Sequence, residues 1–290
     1  MGILVQIFFN SLETGSVLAL ATMGIILIFR TSKAFNYAQG VISMFCAYLA
    51  AHFMQATGMN AWVSSLIGVI GAVCVGITID RLVINKTTKL HSMSKQIVTL
   101  GLVIVFLGLA PMFFGIVPLP YQRFVHGTFT VLNANVTYGA IVNISIGILI
   151  MALLFFVIQK TKWGLAVRAT ASNDTVARMM GIPTPIVTMG AWAVAAALGS
   201  LSAMMIAPTT TVNFTMMDSI QITALLACVL GGLGTFLGPV LAAYFIAFGR
   251  NLVAFYISSV WADAFVYLSI LVILLINPNG IFGKKVLKKV

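Results

Sequence analysis

The sequence has 290 residues, of which 61% are hydrophobic and only 7% are charged, and its net charge is +11. Soluble domains carry about 25% charged residues, so this composition excludes a water-soluble globular protein and indicates a polytopic membrane protein. In such a protein the excess of basic over acidic residues reflects the membrane topology and contact with anionic lipid, so we do not expect nucleic-acid binding. Cys46, Cys74 and Cys228 lie in apolar runs, where they are interpreted as small apolar residues.

A membrane-spanning helix needs about 20 mostly apolar residues. The chain offers nine apolar segments, at 4–29, 37–55, 61–79, 97–117, 137–158, 186–206, 219–232, 236–256 and 262–277. Segment 219–232 is short and runs into glycines, which is typical of a broken or re-entrant helix. The predicted fold is an all-α transmembrane bundle of about eight or nine spans, in a single domain over 1–290.

The basic residues predict the orientation of the bundle. If the spans alternate, every lysine and arginine except Arg123 and Arg250 falls on one side of the membrane. The positive-inside rule makes that side cytoplasmic, with the C-terminus inside and the N-terminus outside. The loop 159–185 is then cytoplasmic and the loop 118–136 extracytoplasmic. The alternating residues of the outer loop predict a short hairpin or a plug.

The cytoplasmic loop contains the signals of a short helix. Asn173 is a good N-cap, Asp174 and Arg178 suit the two ends of the helix dipole, and Gly181 can end the helix in a left-handed turn. The other face carries an apolar patch of Val176, Met179 and Met180, with Ala177 beside it. A helix of about two turns is not stable alone. We expect either a partner to cover it or the loop to fold onto its own membrane domain.

Polar residues inside apolar segments are candidate pathway residues, because in lipid they must face protein or water. Asn10, Glu13 and Thr14 share one face of the first segment. Glu13 either lines a substrate path or marks the outer interface. Asp218, before the short seventh segment, either lines the path or lies in an exposed loop.

A second polar group opens the second segment. It consists of Asn36, Tyr37, Gln39 and Gly40. The group predicts either a helix break that offers backbone groups to a substrate or polar packing between helices. Asp80 and Arg81, at the end of the third segment, are expected either to form an ion pair at the membrane interface or to contact a cytoplasmic partner.

The glycine-rich stretch VLGGLGTFLGPV lacks the lysine of a phosphate-binding loop. Gly231, Gly232, Gly234 and Gly238 therefore predict a helix break with close backbone packing. The histidines show no metal-ligand spacing, and no serine or cysteine has a base nearby in sequence. We expect no catalytic residue, no metal site and no enzymatic activity.

Taken in order, several stretches carry a family resemblance: NSLETGSVLAL from Asn10, AFNYAQGVISMFCAY from Ala34, GLAVRATASNDTVARMMG from Gly164, the glycine-rich stretch, and NPNGIFGKK from Asn277. Together they resemble the inner-membrane permease subunits of branched-chain amino acid ABC importers of the Liv type, and the H-type permease more than the M-type. The stretches cover almost the whole chain in the family's order.

The resemblance implies that the loop 159–185 holds the coupling helix, with Asn173–Gly181 at its core pressing into an ATPase. It implies two separate ATP-binding cassette subunits, a second permease subunit and an extracytoplasmic solute-binding protein, with no cofactor on this chain because ATP binds to the partners. It implies location in the inner (plasma) membrane and transport by alternating access.

Two departures bear on the substrate. Val41 follows Gly40 where the family often has an acid, and Glu13 and Thr14 replace residues that are usually apolar. The resemblance implies a branched-chain or related amino acid as the substrate, and these departures leave open urea or another small polar solute carried by a permease of the same family. The alternative from another class is an ion-coupled secondary transporter that works through Glu13 or Asp218.

Overall fold

A computed structural model describes residues 2–87, 92–131 and 134–283, and these are predominantly helical. The helices are α1 (Gly2–Ser32), α2 (Gln39–Thr57), α3 (Ala61–Ile79), α4 (Ser92–Phe114), α5 (Tyr138–Lys160), α6 (Lys162–Ser172), α7 (Asp174–Met179), α8 (Thr184–Thr210), α9 (Asp218–Gly231), α10 (Leu237–Tyr256) and α11 (Ala262–Ile276). A π-helical segment (Asp80–Ile84) and a 3-10 turn (Asn85–Thr87) follow α3.

Within the described ranges, seven helices are long and apolar enough to cross a membrane. The apolar helices α9 and α11 are shorter. All nine predicted segments are present, and the multi-pass helical bundle is confirmed. With 14 residues, α9 is only about 21 Å long, whereas the hydrocarbon core of a bilayer is about 30 Å thick.

The centre of the bundle is built by α1 and α8. The 31-residue α1 is about 46 Å long and is almost continuously buried from Gly15 to Ile28. It packs against α5, α8, α9 and α10, while α8 also packs against α2 and α3. A helix that is apolar on all sides belongs in the interior of a bundle. By contrast, α4 and α5 expose much of their apolar surface, as lipid-facing helices do.

One end of the bundle, called the hairpin end below, carries the predicted hairpin. Strands β1 (Thr128–Val131) and β2 (Ala134–Thr137) pair antiparallel, which confirms the hairpin expected there. The segment before it is anchored by Trp62 Nε1, which donates to the Phe124 carbonyl at 3.1 Å. Leu119 also forms an isolated antiparallel bridge with Val212. The opposite end carries α6 and α7 and is called the α7 end.

Two features at the α7 end were not expected. The loop 159–185 contains a second helix, α6, capped by the Thr161 hydroxyl, which accepts from the Gly164 N–H at 3.1 Å. The expected Asp80–Arg81 ion pair is wrong. Asp80 is only 1% exposed, and the structure shows no salt bridge for it among the described residues. The π-helical turn beginning at Asp80 carries its side chain into the protein while Arg81 stays exposed.

Candidate functional site

A cavity of about 170 Å³ lies between α1, α8, α9 and α10, and is called the main cavity below. Its wall is largely apolar and comes from all four helices. The apolar lining consists of Val17, Leu18, Met205, Ile206, Ile220, Ile246 and Ala247. The polar lining consists of Glu13, Thr14, Thr209, Ser219, Thr223 and Arg250. This is the composition of a small-molecule site, in which an apolar wall holds a few polar groups.

A second cavity, of about 40 Å³, lies towards the hairpin and is called the small cavity. It shares Glu13, Met205 and Thr209 with the main cavity. Its remaining lining comes from α5, α8 and the loop around the hairpin: Arg123, Phe124, Thr137, Gly139, Asn143 and Pro208. The two cavities therefore meet at Glu13; the main cavity is largely apolar, and about half of the lining of the small cavity is polar.

Glu13 is held by an amide from α5. Asn143 Nδ2 donates to Glu13 Oε1 at 2.8 Å and more weakly to the Met205 carbonyl at 3.4 Å. These two contacts join α1, α5 and α8 at one point. Asn143 Oδ1 has no hydrogen-bond partner, although the residue is only 6% exposed. A buried acceptor without a donor is costly and calls for an explanation.

Arg250 brings a positive charge to the main cavity, but that charge is already paired. Its guanidinium donates to both carboxylate oxygens of Asp263, with Nε–Oδ1 at 2.5 Å and Nη2–Oδ2 at 3.3 Å. The pair joins the end of α10 to the first turn of α11. Bidentate pairs of this kind are strong and fix geometry.

The first predicted group divides between two places. Glu13 and Thr14 both line the main cavity. The Thr14 hydroxyl donates to the Asn10 carbonyl and accepts from Asn251 Nδ2 at 3.1 Å. Asn10 lines a different depression, formed with Gln6 and Asn251 near the start of α1. Asp218 is exposed at the first turn of α9, and its neighbour Ser219 is the residue that lines the main cavity.

The second predicted group lies in the packing between α2, α8 and α9. Asn36 Nδ2 donates to Gln39 Oε1 at 3.2 Å, and Gln39 Nε2 donates to the Ala195 carbonyl at 2.5 Å. Gln221 Nε2 donates to the Asn36 carbonyl at 3.0 Å and also packs over Gly40. The Tyr37 N–H donates to the Thr99 hydroxyl. The structure places none of these four predicted residues on the walls of the two cavities.

Sequence reasoning missed Asn143 as a site residue, and it used Arg123 and Arg250 only as exceptions. The sequence marks Asn143 only weakly as a site residue, since it is a single amide in an otherwise apolar segment. It marks the two arginines more strongly. They are the two basic residues that break the topological pattern, and both line a cavity.

The glycine-rich stretch joins α9 to α10, which together form one side of the main cavity. The helix α9 ends at Gly231, and Gly232 has φ of 88°. A Cβ on Gly238 would lie 2.2 Å from the Gly231 carbonyl oxygen, so two backbones touch here. Gly234 has open space around its Cα.

At the other end of the bundle, α7 is completed by its own side chains. Asn173 Oδ1 accepts from the N–H groups of Thr175 and Val176, and Asp174 pairs with Arg178 at 2.8 Å. Gly181 follows with φ of 81°. Ala177 is 3% exposed and packs inward. The apolar patch of α7 is uncovered: Val176 is 51% exposed, Met179 80% and Met180 78%.

Two contacts connect α7 and its neighbour α6 to the central helices. Arg178 Nε donates to the Thr184 hydroxyl at 2.8 Å, at the first residue of α8. Lys33, just beyond α1, donates from Nζ to the Ala171 carbonyl in α6. Burial, and secondarily the charge of Arg30, lower the pKa of Lys33. The helices that line the cavities are thus tied directly to the α6–α7 segment.

This architecture defines a multi-pass helical membrane protein with a cavity among its central helices and an uncovered short helix at one end. Residues 7–275 match the family model described as branched-chain amino acid transport system, permease component. The chain belongs to this family and is a membrane permease subunit.

Named relatives cover nearly the whole chain. It is 26% identical to a protein of Methanocaldococcus jannaschii named probable branched-chain amino acid transport permease protein LivH, covering 92% of this chain and 89% of that one. Identity to the high-affinity branched-chain amino acid transport system permease protein LivH of Escherichia coli is 23%, over 98% and 97% of the two chains. The autoinducer 2 import system permease protein LsrC of Photorhabdus laumondii is 26% identical, over 90% and 78%.

A solved structure, PsaBC from Streptococcus pneumoniae in complex with Fab, matches with a TM-score of 0.50 and 12% sequence identity. The match covers 93% of this chain and 91% of the other. At this identity the likeness concerns the fold alone.

Proposed function

We propose that the chain is one permease subunit of an ABC importer for branched-chain or related amino acids. It would work by alternating access, with a second permease subunit completing the pore and two ATPase subunits docking at the α7 end. A solute-binding protein would deliver the substrate at the hairpin end. In this proposal the chain lies in the inner (plasma) membrane, and its α7 end faces the cytoplasm.

The observation that carries this proposal is the uncovered apolar patch of α7. Asn173, Asp174, Arg178 and Gly181 complete the helix locally, so the patch is presented on a preformed element. Three adjacent exposed apolar side chains at a loop end are expected to meet a protein partner. Ala177, beside the patch, is buried and packs the helix against the rest of the protein.

The connection through α8 supports a route from ATPase to substrate. Arg178 bonds the start of α8, and Met205, Ile206 and Thr209 near its other end line the main cavity. Because a helix transmits movement as a nearly rigid rod, displacement of α7 would tilt α8 and change the cavity. The cavity residues Glu13 and Thr14 lie on α1, which Lys33 ties to α6.

The family relatives named for branched-chain amino acids favour an amino acid, and the apolar wall of the main cavity suits its side chain. A second candidate is another small polar solute. The relative named for autoinducer 2 and the polar residues Glu13 and Thr14 support that possibility.

The test replaces Val176, Met179 and Met180 together with aspartate in the membrane-expressed complex. We expect ATP-driven uptake to fall by at least about 100-fold, because three buried charges would face the ATPase interface. The measurement combines uptake in vesicles with mass spectrometry of the proteins that copurify with this chain in mild detergent.

The matched control is Met179→Leu with Met180→Leu, which keeps the patch apolar at similar volume. Loss of ATPase subunits with the aspartate variant, but not with the leucine variant, supports the proposal. A chain that purifies alone and still accumulates solute with the charged patch would contradict it and favour an ion-driven carrier.

A further inference from the structure

The geometry points to a head-group site for a zwitterionic α-amino acid in the small cavity, with Glu13 and Asn143 Oδ1 binding the ammonium and Arg123 binding the carboxylate. The apolar side chain would enter the main cavity. This inference rests on the proposed function and adds to it a binding pose and three specificity-determining residues.

The first step is the charge of Glu13. Within residues 2–87, 92–131 and 134–283, the salt bridges are Asp174–Arg178 and Arg250–Asp263. The carboxylate of Glu13 is held instead by the neutral amide of Asn143. It is therefore a negative charge without a cationic partner, at the junction of two cavities. A carboxylate in such a place favours a positively charged group on the ligand.

The second step is the orientation of the Asn143 amide. Its Nδ2 faces two acceptors, Glu13 Oε1 and the Met205 carbonyl. Exchanging the oxygen and nitrogen of the amide would place Oδ1 against both acceptors, so the contacts fix the assignment. Oδ1 then remains as a buried acceptor without a donor in a residue that lines the small cavity. An ammonium group, with three N–H donors, can bond both this oxygen and Glu13.

The third step is a positive charge in the lining of the same cavity. Arg123 lines the small cavity from the loop that precedes the hairpin, and its side chain is exposed. Across the described part of the chain, no hydrogen bond or ion pair engages its guanidinium. It is free to take a carboxylate in a bidentate pair. Arg250 is less suited to this role, because its Nε and Nη2 already donate to the carboxylate of Asp263.

The fourth step is size. A cavity needs about 10–15 Å³ to hold one water molecule, so the small cavity of about 40 Å³ has room for about three groups of that size, namely the ammonium and the two carboxylate oxygens. A dry cavity of about 150 Å³ admits benzene, so the main cavity of about 170 Å³ can take a side chain of that size. Val17, Ile206 and Ile220 provide apolar contacts there. The proposed head-group site in the small cavity thus lies beside an apolar space in the main cavity, just as the head group of an apolar amino acid lies beside its side chain.

The experiment uses the complete transport complex in proteoliposomes with its binding protein, and measures ATP-dependent uptake of labelled L-leucine together with ATP hydrolysis. Glu13→Gln, Asn143→Leu and Arg123→Gln should each lower uptake at least tenfold, mainly through a higher KM. Hydrolysis stimulated by loaded binding protein should stay within twofold, because α7 is untouched. Glu13→Asp should restore part of the uptake, since it keeps the charge.

Two control variants lie next to the site residues but outside both cavities. Ser145→Ala is on the exposed side of α5, and Gln122→Ala is exposed beside Arg123. Both should transport like the wild type.

Competition by unlabelled compounds against the uptake of labelled leucine gives a second measure. Glu13→Gln should reduce the preference of the transporter for leucine over 2-hydroxy-4-methylpentanoate. Arg123→Gln should reduce its preference for leucine over leucinamide. The binding protein is the same in all cases, so its own preference cancels.

The outcomes separate this inference from the function on which it rests. If the wild type takes up leucine and all three variants match it, the head-group site is wrong and the importer proposal stands. If uptake requires Na⁺ and Glu13→Gln removes that requirement, the site holds a metal ion and the inference is overturned. If the wild-type complex shows no ATP-dependent uptake of any amino acid, both fail.

Discussion

The two proposed functional regions of this permease use polar side chains in opposite ways. At the α7 end, Asn173, Asp174 and Arg178 satisfy one another, and the apolar patch faces outwards. Around the cavities the apolar residues are packed, while Glu13 and Asn143 keep binding capacity unused. A docking surface needs a finished helix with an exposed apolar face, and a ligand site needs polar groups that the protein leaves incompletely paired.

The regions also differ in how far apart their parts lie in the sequence. The α7 region is contained within 173–184, whereas Asn143 and Glu13 are 130 residues apart. Substitutions in the cavity region should therefore disturb the packing of several helices, and those around α7 should disturb coupling alone. The predictions below test this difference, beginning with the largest effect.

Gly238→Ala should be the most damaging of these changes. The added Cβ would meet the Gly231 carbonyl oxygen at 2.2 Å, and neither backbone can yield without moving α9 or α10. Overpacking of this kind costs about 1–3 kcal/mol. We expect a lower thermal midpoint of the purified protein and at least a tenfold loss of uptake.

Gly234→Ala is the matched control for Gly238→Ala, because the space around Gly234 is open. It should change the thermal midpoint very little. If both glycines tolerate alanine equally well, the close contact between α9 and α10 does not define the shape of the main cavity.

Arg178→Met should have an intermediate effect on transport. It removes the bond from α7 to the Thr184 hydroxyl at the start of α8, together with the ion pair to Asp174. We expect uptake to fall by about three- to tenfold per ATP hydrolysed, with ATPase subunits still bound, because a hydrogen bond of a half-exposed side chain contributes about 0.5–1.5 kcal/mol. The ratio of solute accumulated to ATP consumed is the measurement.

Asp174→Asn should have the smallest effect. It removes the ion pair but leaves Arg178 bonded to Thr184. Exposed ion pairs contribute only about 0–1 kcal/mol, so we expect transport within twofold of the wild type. A loss as large as that of Arg178→Met would show that the ion pair, rather than the contact with α8, carries the coupling.

The sequence predicted the helices well because their signals are local. Apolar length located nine segments, and the caps and breakers around Asn173 and Gly181 located α7. The helix α6 was missed because it is short and amphipathic, and it lies between a long span and a stronger capping signal. Asp80 and Arg81 looked like an interfacial ion pair, but adjacent residues point in different directions, and the π-helical turn turns one of them inwards.

The cavities were harder to predict, because no local pattern shows which side chains meet across a bundle. Glu13 could be identified as unusual, since it is an acid within an apolar segment. Its partner Asn143 comes from α5, and Arg123 comes from the loop that precedes the hairpin, so their meeting depends on tertiary packing. Asn36 and Gln39 carried the same polar signal as Glu13, yet the structure gives them partners in α8 and α9.

The most direct measurement is whether the main cavity lies on the substrate path. Ile206→Cys in a background without Cys46, Cys74 and Cys228 would be treated with a small membrane-impermeant thiol reagent in the reconstituted complex. We expect labelling to block uptake, L-leucine with loaded binding protein to slow labelling, and Ser259→Cys, which is exposed in the turn after α10, to be labelled without effect. Full uptake by a complex whose Ile206→Cys site is completely labelled would contradict the path proposed here.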